Sequence, residues 1–358
     1  MRIIYQIFSL LIVLFAVCNA RLFPPTDDSW IDIGAVLVPS EPWEQTCVCE
    51  PQVYWDTYQD EFRMYYRGGW NNMSVGVATS KTGVFWKKYE GNPVYGGRGS
   101  DVIGLAEGGQ PFVFREEKNK YMLFTTHRWD GMHIATSKDG FTWIPQNVSI
   151  SHPPGCSAWG NRVVWTEENR ELNETRKVKT YLMLQEAGYR AGVWSIFLYK
   201  SRNGLKWEIL NDGLPLSSLQ MGLGGGMYGG PSFANVNGTL TPRNSSGIYN
   251  LWYHAAPAGK GNLPTDIYHA ASKDLINWKI SICENPVLKH SGKGWEYDQT
   301  ADPSPIITPD GGALLYYDAD NNVNGEASIG MAIAKQELKT TNTDLLTSEI
   351  DVTIELFQ

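Results

Sequence analysis

Three carboxylates in this 358-residue chain stand where an element would display them at its end: Glu50 before Pro51, Glu186 after the apolar run YLMLQ at 181–185, and Asp302 before Pro303. Carboxyl groups gathered around one opening suit general acid/base work, in which one is ionised and its partner protonated. Crowding like charges raises the pKa of one member, as an acid catalyst near neutral pH requires. Distances of this kind depend on the elements that bring residues 50, 186 and 302 together.

A repeat supplies those elements. SKTGVFW (80–86), SKDGFTW (137–143), SRNGLKW (201–207) and SKDLINW (272–278) are four copies of one unit, and recurrence along a chain marks a supersecondary module stacked or set in a ring. Around each copy, short apolar–polar alternations separated by Gly, Asn and Asp read as antiparallel strands, with almost no helical periodicity. The predicted strands are 51–55, 62–66, 74–79 and 85–89; then 111–114, 121–125, 133–136 and 142–144; then 162–165, 180–184, 195–199 and 206–210; then 232–236, 249–253, 266–270 and 277–281. A fifth module starts at Asp302-Pro303, uses 305–308, 313–317 and 328–334, and lacks a terminal Trp. Residues 31–38 would supply its outer strand and close the ring. The predicted fold is all-β, a five-bladed β-propeller of four-stranded antiparallel blades, which hides its strand edges by radial repetition. Trp86, Trp143, Trp207 and Trp278 read as packing between blades.

In such a blade the start of the innermost strand and the end of the second emerge on one face. The first column is Glu50, Gln110, Asn161, Gly230 and Asp302; the second is Arg67-Gly68, Thr126-His127, Gln185-Glu186, His254-Ala255 and Asp318-Ala319. The two longer separations within modules contain Asn173, and Asn237 with Asn244, which puts those insertions on the opposite face. The predicted mouth carries Glu50, Glu186 and Asp302 as catalytic candidates. Arg67, Gln110, His127, Arg128, Asn161, His254, Asp318, Trp70 and Trp129 are candidates for substrate contact, with Glu107, Asp298 and Asp320 nearby.

Residues 1–20, with Arg2, an apolar run from Ile7 to Val17 and a small-residue end, read as a cleavable signal. The expected organisation is signal 1–20, propeller 21–340 and tail 341–358, secreted and extracellular, with no membrane partner. Five sequons, at Asn72, Asn147, Asn173, Asn237 and Asn244, agree with that route. Cys47, Cys49, Cys156 and Cys283 remain after the signal is removed; disulfides are expected, with three pairings open. Lys and Arg number 30 against 38 Asp and Glu, a net charge of −8 without a basic run, which excludes a polyanion binder such as a nucleic-acid protein. The spacing of Cys and His does not suit zinc. Gly224–Gly226 lacks the following helix and Lys of a phosphate loop.

The ATSKDGFTW and YKSRNGLKW repeats, the LYYD and LWYH second strands and the Asp302-Pro303 strand entry resemble the five-bladed propeller glycoside hydrolases of the arabinanase, levansucrase and invertase type, including families 32, 43, 68, 117 and 130. The resemblance covers roughly residues 31–336. It implies a glycosidase with an acidic trio: a base or nucleophile, a general acid and a third carboxylate that adjusts the acid. Two carboxyl groups would then flank the scissile bond, their separation deciding inversion or retention. Asp302 or Glu50 would be base or nucleophile and Glu186 the proton donor, while Asp318 and His254 orient substrate or tune the carboxylates. The chain departs from the pattern by placing Glu50 where such enzymes usually have Asp, with the Asp-Pro pair in the last module. The sucrose-type signatures are absent, which argues against an invertase. A carbohydrate substrate is expected, with no organic cofactor and no assigned metal ligand, although a structural calcium ion in the channel is compatible with the reading. Two alternatives stay open: a glycoside phosphorylase, in which Arg67, Arg128 and His127 hold phosphate, and a carbohydrate- or protein-binding propeller without catalysis.

Overall fold

The computed structural model describes residues 23–70, 73–96, 108–127, 131–170, 177–189, 193–220, 226–256, 263–280, 286–321 and 325–335. Five antiparallel sheets form the blades. Blade one is Val48–Asp56, Glu61–Gly68, Ser74–Ser80 and Lys87–Lys88; blade two is Gly109–Glu117, Lys120–His127, Gly131–Ser137 and Ile144–Ile150. Blade three is Cys156–Arg170, Lys177–Tyr189, Val193–Ser201 and Trp207–Ile209; blade four is Tyr228–Ser232, Tyr249–Ala255, Asp266–Ser272 and Trp278–Ile280. Gln299–Ile307, Ala313–Asn321 and Glu326–Ala334 form blade five, and Trp30–Leu37 pairs antiparallel with the last of these, from Trp30↔Ala334 to Leu37↔Ile329. The N-terminal strand thus closes the ring as its sequence implies. Helical residues are confined, among those described, to single 3-10 turns, none long enough to cross a membrane.

The repeated motif is a turn with a docking function. Its Ser hydroxyl accepts the N–H three residues on: Ser80 from Gly83 at 2.9 Å, Ser137 from Gly140 at 2.9 Å, Ser201 from Gly204 at 3.0 Å and Ser272 from Leu275 at 3.0 Å. That third position has φ of 77°, 79°, 72° and 67° respectively, which explains Gly in three copies and leaves Leu275 in a conformation that non-glycine residues seldom adopt. The indole N–H of Trp86, Trp207 and Trp278 then donates back to the carbonyl of Gly83, Gly204 and Leu275 at 2.9–3.0 Å. Three of the four turns also meet the preceding blade. Tyr316 OH donates to Gly83 O at 2.8 Å, and Tyr65 OH to Gly140 O at 3.0 Å. Trp86 packs edge-on to Tyr316, Trp143 to Tyr65 and Trp207 to Phe124, so three of the repeated tryptophans are inter-blade packing, as expected.

Second strands lie between neighbouring blades and are buried on both faces, which accounts for their continuous apolar character. Residues 313–320 are buried throughout, as are 181–188. Met64, Tyr65 and Tyr66, Leu123 and Phe124, Met183 and Leu184, Leu251 to Tyr253, and Leu315 to Tyr317 are all fully inaccessible or nearly so. Burying each such side chain is worth about 1.5–3 kcal/mol, so the wheel is stabilised mainly between blades rather than within them.

Two expectations are corrected. Inner strands begin upstream of the predicted positions, so the first column lies inside the strands rather than ahead of them. In blade four, the predicted strand 232–236 breaks at Phe233, whose buried ring meets Trp165 edge-on at 4.9 Å. Its far half, Ala234–Val236, pairs in parallel with Ile306 and Ile307 of blade five and continues through a turn at Asn237 to Thr239–Thr241. The signal segment and the C-terminal tail lie outside the described residues.

Candidate active site

A break in strand pairing occurs at the same point in all five inner strands: between Cys49 and Gln52, Gly109 and Phe112, Trp159 and Arg162, Gly229 and Ser232, and Ala301 and Ser304. The first-column residues Glu50, Gln110, Asn161, Gly230 and Asp302 occupy these breaks. Four have left-handed backbone, with φ of 56° at Glu50, 51° at Gln110, 56° at Gly230 and 49° at Asp302. A β-bulge re-aims its side chain and frees its N–H from the ladder, and a non-glycine residue held this way costs on the order of 1–3 kcal/mol, a form of strain found where structure serves function.

The freed N–H groups are caught by side chains of the mouth, Glu50 of the first column and Glu186 and His254 of the second. Glu50 Oε2 accepts the Gln110 N–H at 2.8 Å. Glu186 Oε2 accepts two, from Asn161 at 3.0 Å and Gly230 at 3.1 Å. His254 Nδ1 accepts the Asp302 N–H at 3.2 Å. Every bulge but that of blade one therefore positions a side chain of the mouth, and three of the bonds cross from one blade to its neighbour. The close fit explains the glycines: a Cβ at Gly160 or Gly229 would come within 2.3 or 2.2 Å of the Glu186 carboxyl, and one at Gly230 within 2.6 Å of Asp302 Oδ1 and His254 Nδ1.

Glu186, His254 and Asp302 form the densest cluster. His254 Nε2 lies 3.7 Å from Glu186 Oε1, and His254 Nδ1 lies 3.3 Å from Asp302 Oδ1. Because Nδ1 accepts a backbone N–H, the neutral ring carries its proton on Nε2, towards Glu186. Burial favours neutral imidazole, yet the Asp302, Glu186 and Glu50 carboxylates outweigh it and raise the His254 pKa. Burial likewise raises the Glu186 carboxyl, with Asp302 adding to the effect, against His254 and the two backbone donors. Each of the three offers one ligand atom within 4.8 Å of the others, while His254 Nε2 and Asp302 Oδ1 are buried without a hydrogen-bond partner. That donor set fits a divalent cation. Its imidazole nitrogen suits a transition-type ion better than calcium, which prefers oxygen ligands alone.

Glu50 is held from both sides, Oε1 at 2.8 Å from Arg67 Nη1 and Oε2 on the Gln110 N–H. Burial, opposed chiefly by Arg67 and assisted by Asp302, pushes its carboxyl up to about 7. Across the first bulge of blade five, Asp318 is buried with Oδ1 unpartnered, and burial with the Asp302 and Glu50 charges holds its pKa well above the ordinary value. Asp320 is raised to about 7 by burial and by Asp298. Gln110 accepts from Thr126 Oγ1 at 2.6 Å.

Several candidates have other placements. Arg67 is committed: besides Glu50, its Nε lies 3.2 Å from Cys49 Sγ and its Nη2 3.6 Å from Cys47 Sγ. Trp70 packs over this guanidinium at 4.9 Å and donates its indole N–H to Gly325 O at 3.0 Å, so it clamps Arg67. Asn161 contributes its backbone N–H to Glu186. His127 ends its strand opposite Gly131. Arg128, Trp129 and Glu107, and the sequons at Asn72 and Asn173, lie outside the described residues. Cys47 and Cys49 lie at disulfide distance, with Cα atoms 6.0 Å apart, and Cys156 has no disulfide partner among the described residues; Cys283 is outside the described residues.

Arg162 is the residue that the sequence reading missed. It is 3% exposed, donates to the carbonyls of Gln110 at 2.7 Å and Phe124 at 3.1 Å, to Gly160 O, and to Gln185 Oε1 at 2.9 Å. It ties blades two and three beneath the mouth, and burial lowers its pKa to about 9 against the pull of Glu50 and Glu186. A cation directly after the first column, in the otherwise apolar run RVVW, was the available signal.

No family model matches the chain, and no curated protein matches it in sequence. Solved structures do. A glycoside hydrolase superposes with a TM-score of 0.63 at 16% identity, over 87% of this chain and 92% of that one. An α-L-arabinofuranosidase from Podospora anserina, solved with cellotriose, gives 0.59 at 11% identity, over 87% and 98%. An N-acetylgalactosamine deacetylase from F. plautii, solved with blood group B trisaccharide, gives 0.54 at 13% identity, over 85% and 95%. The bulged inner strands, the closing N-terminal strand and these superpositions together establish that the chain has the five-bladed propeller fold of the glycoside hydrolases its repeats resemble.

Proposed function

We propose that the protein is a secreted glycoside hydrolase that cleaves a carbohydrate by carboxylate general acid/base catalysis. The observation that carries this is the convergence from separate blades of Glu186, Asp302 and Glu50 around one buried cluster in which burial raises the Glu186 carboxyl above its ordinary value and lifts Glu50 to about 7. Glu186 is the proton donor: its Oε2 is engaged by two backbone N–H groups, and Oε1 remains to carry and deliver the proton. Asp302 is the base or nucleophile, because its Oδ1 has no hydrogen-bond partner while both Glu50 oxygens are engaged by Arg67 and Gln110. Glu50 is the third carboxylate, adjusting the site through the proton it holds or releases near pH 7. Should a divalent cation bind, Glu186, His254 and Asp302 would hold it, and it would supply Lewis-acid polarisation of a substrate oxygen.

Hydrolysis of a panel of aryl pyranosides and furanosides by the full chain tests the reading, with Glu186→Gln beside it. The expected loss is in kcat, by about 10²–10⁴-fold, with saccharide binding retained. Binding without turnover in the unmodified protein would establish a non-catalytic propeller, and turnover that depends on added phosphate a phosphorylase.

A further inference from the structure

Beyond the bulges, towards the far face, the inner strands enclose a cavity of about 420 Å³, within the range of small-ligand sites. Aromatic and aliphatic side chains form much of its wall, among them Tyr54, Phe112, Phe114, Trp165 and Phe233. Polar groups are interspersed with these rings, and three of the buried ones, Tyr54, Asn235 and Ser304, bring hydrogen-bonding capacity to the cavity; the Tyr54 hydroxyl is itself buried without a partner. Asn235 is 8% exposed and its Oδ1 has no hydrogen-bond partner, leaving a buried acceptor that needs a donor. Ser304 is 6% exposed and its Oγ accepts the Val53 N–H at 2.9 Å, so its own proton is directed elsewhere. Both residues owe their position to blade junctions: Asn235 to the far half of the broken strand, which pairs with Ile306, and Ser304 to the first ladder pair after the bulge of blade five.

The charges at the rim select the ligand class. Arg115 is paired with Asp56 at 3.1 Å and Lys179 with Glu116, so neither cation that lines the chamber is available to an anion. Gln52 is closed by two bonds to the Val113 backbone, at 2.8 and 2.6 Å. What remains are the Asn235 acceptor, the Ser304 and Tyr54 hydroxyls, the hydroxyls of Thr166, Ser232 and Thr239, and the Glu117 carboxylate, set among aromatic walls, which matches the hydroxyls and the apolar C–H face of a sugar ring.

We propose that this far chamber is a saccharide-binding site, separate from the carboxylate cluster and taking a neutral monosaccharide or the uncharged end of a glycan. Occupancy here does not depend on catalysis at the mouth, so the two readings can fail independently.

Isothermal titration of the full-length Glu186→Gln protein with arabinose, xylose, glucose and their short oligomers tests it, with Asn235→Leu and Ser304→Ala introduced in that background. A dissociation constant of about 1 mM is expected for at least one sugar. Asn235→Leu should weaken it about tenfold, and Ser304→Ala less. A free sugar as the ligand appears as monomer binding equal to that of its oligomers, and a glycan end as preference for the oligomer. Should Asn235→Leu not fold, Asn235→Asp, which adds charge without bulk, must weaken binding by the same order. The absence of binding for every sugar at about 50 mM, or binding indifferent to Asn235, overturns the proposal.

Discussion

Glu50 makes the stability of this protein depend on pH in a direction opposite to that of most carboxylates. An ordinary ion-paired acid has a depressed pKa and stabilises the fold as it ionises. Here burial outweighs Arg67, and the folded value is about 7 against 4.5 unperturbed. The folded state therefore holds a proton that the unfolded state releases, and stability falls as pH rises from about 4.5 and levels off above about 7. At 1.36 kcal/mol per pH unit, the displacement from 4.5 to about 7 corresponds to about 3 kcal/mol from this side chain. Urea unfolding at pH 4 and pH 8, in chelator to exclude metal, measures the loss for the unmodified protein and for Glu50→Gln. The amide keeps an acceptor for only one of its two donors, Arg67 or the Gln110 N–H, which lowers stability at every pH alike, and it cannot ionise. The variant's loss between the two pH values should be smaller than the parent's by about 3 kcal/mol. Parallel pH dependences, differing by less than about 1 kcal/mol, would refute the claim that burial governs this carboxyl.

Four other expectations follow from the same geometry. Gly229→Ala places a methyl 2.2 Å from Glu186 Oε1, and the displaced carboxyl should lower kcat by about 10²-fold while the far-ultraviolet spectrum is unchanged; full activity would show that Glu186 has room to spare. Arg162→Met removes the cation that meets three carbonyls under the mouth, and thermal or chemical unfolding should reveal a loss of about 3–5 kcal/mol. Replacing Cys47 and Cys49 together by Ser costs about 1–2 kcal/mol for so short a loop, and loosens the sulfur cradle of Arg67. The inflection of the pH–rate profile governed by Glu50 should then move to higher pH, and an unmoved profile would separate the disulfide from catalysis. Finally, Glu186 and Asp302 present oxygens within 4.8 Å, nearer to the about 5–5.5 Å of retaining enzymes than to the wider inverting arrangement. Proton NMR of the first-formed product should show the retained anomer; inversion would transfer the base role from Asp302 to Glu50.

Local chemistry made the ring legible from the chain alone. The Ser–x–x–Gly–x–x–Trp unit specifies one turn wherever it occurs, because a hydroxyl cap, a left-handed residue and an indole donor act within seven residues. Period-two patterning located the strands, the absent fifth Trp and residues 31–38 implied closure, and counting from strand ends aligned both columns of the mouth. What the one-dimensional pattern omits is anything decided by contacts between blades. A bulge is invisible to it, since one extra residue in a strand changes no composition, yet the bulges aim Glu50 and Asp302 and free the N–H groups that hold Glu186. Arg67 looked like a substrate ligand until the fold set it against Glu50 and two sulfurs, and Trp70 until it lay over Arg67. Arg162 and the far chamber needed the ring as well: their partners, among them Phe124 for Arg162 and Phe112, Asn235 and Ser304 for the chamber, come from different blades, and only tertiary closure sets the distances that turn such residues into a site.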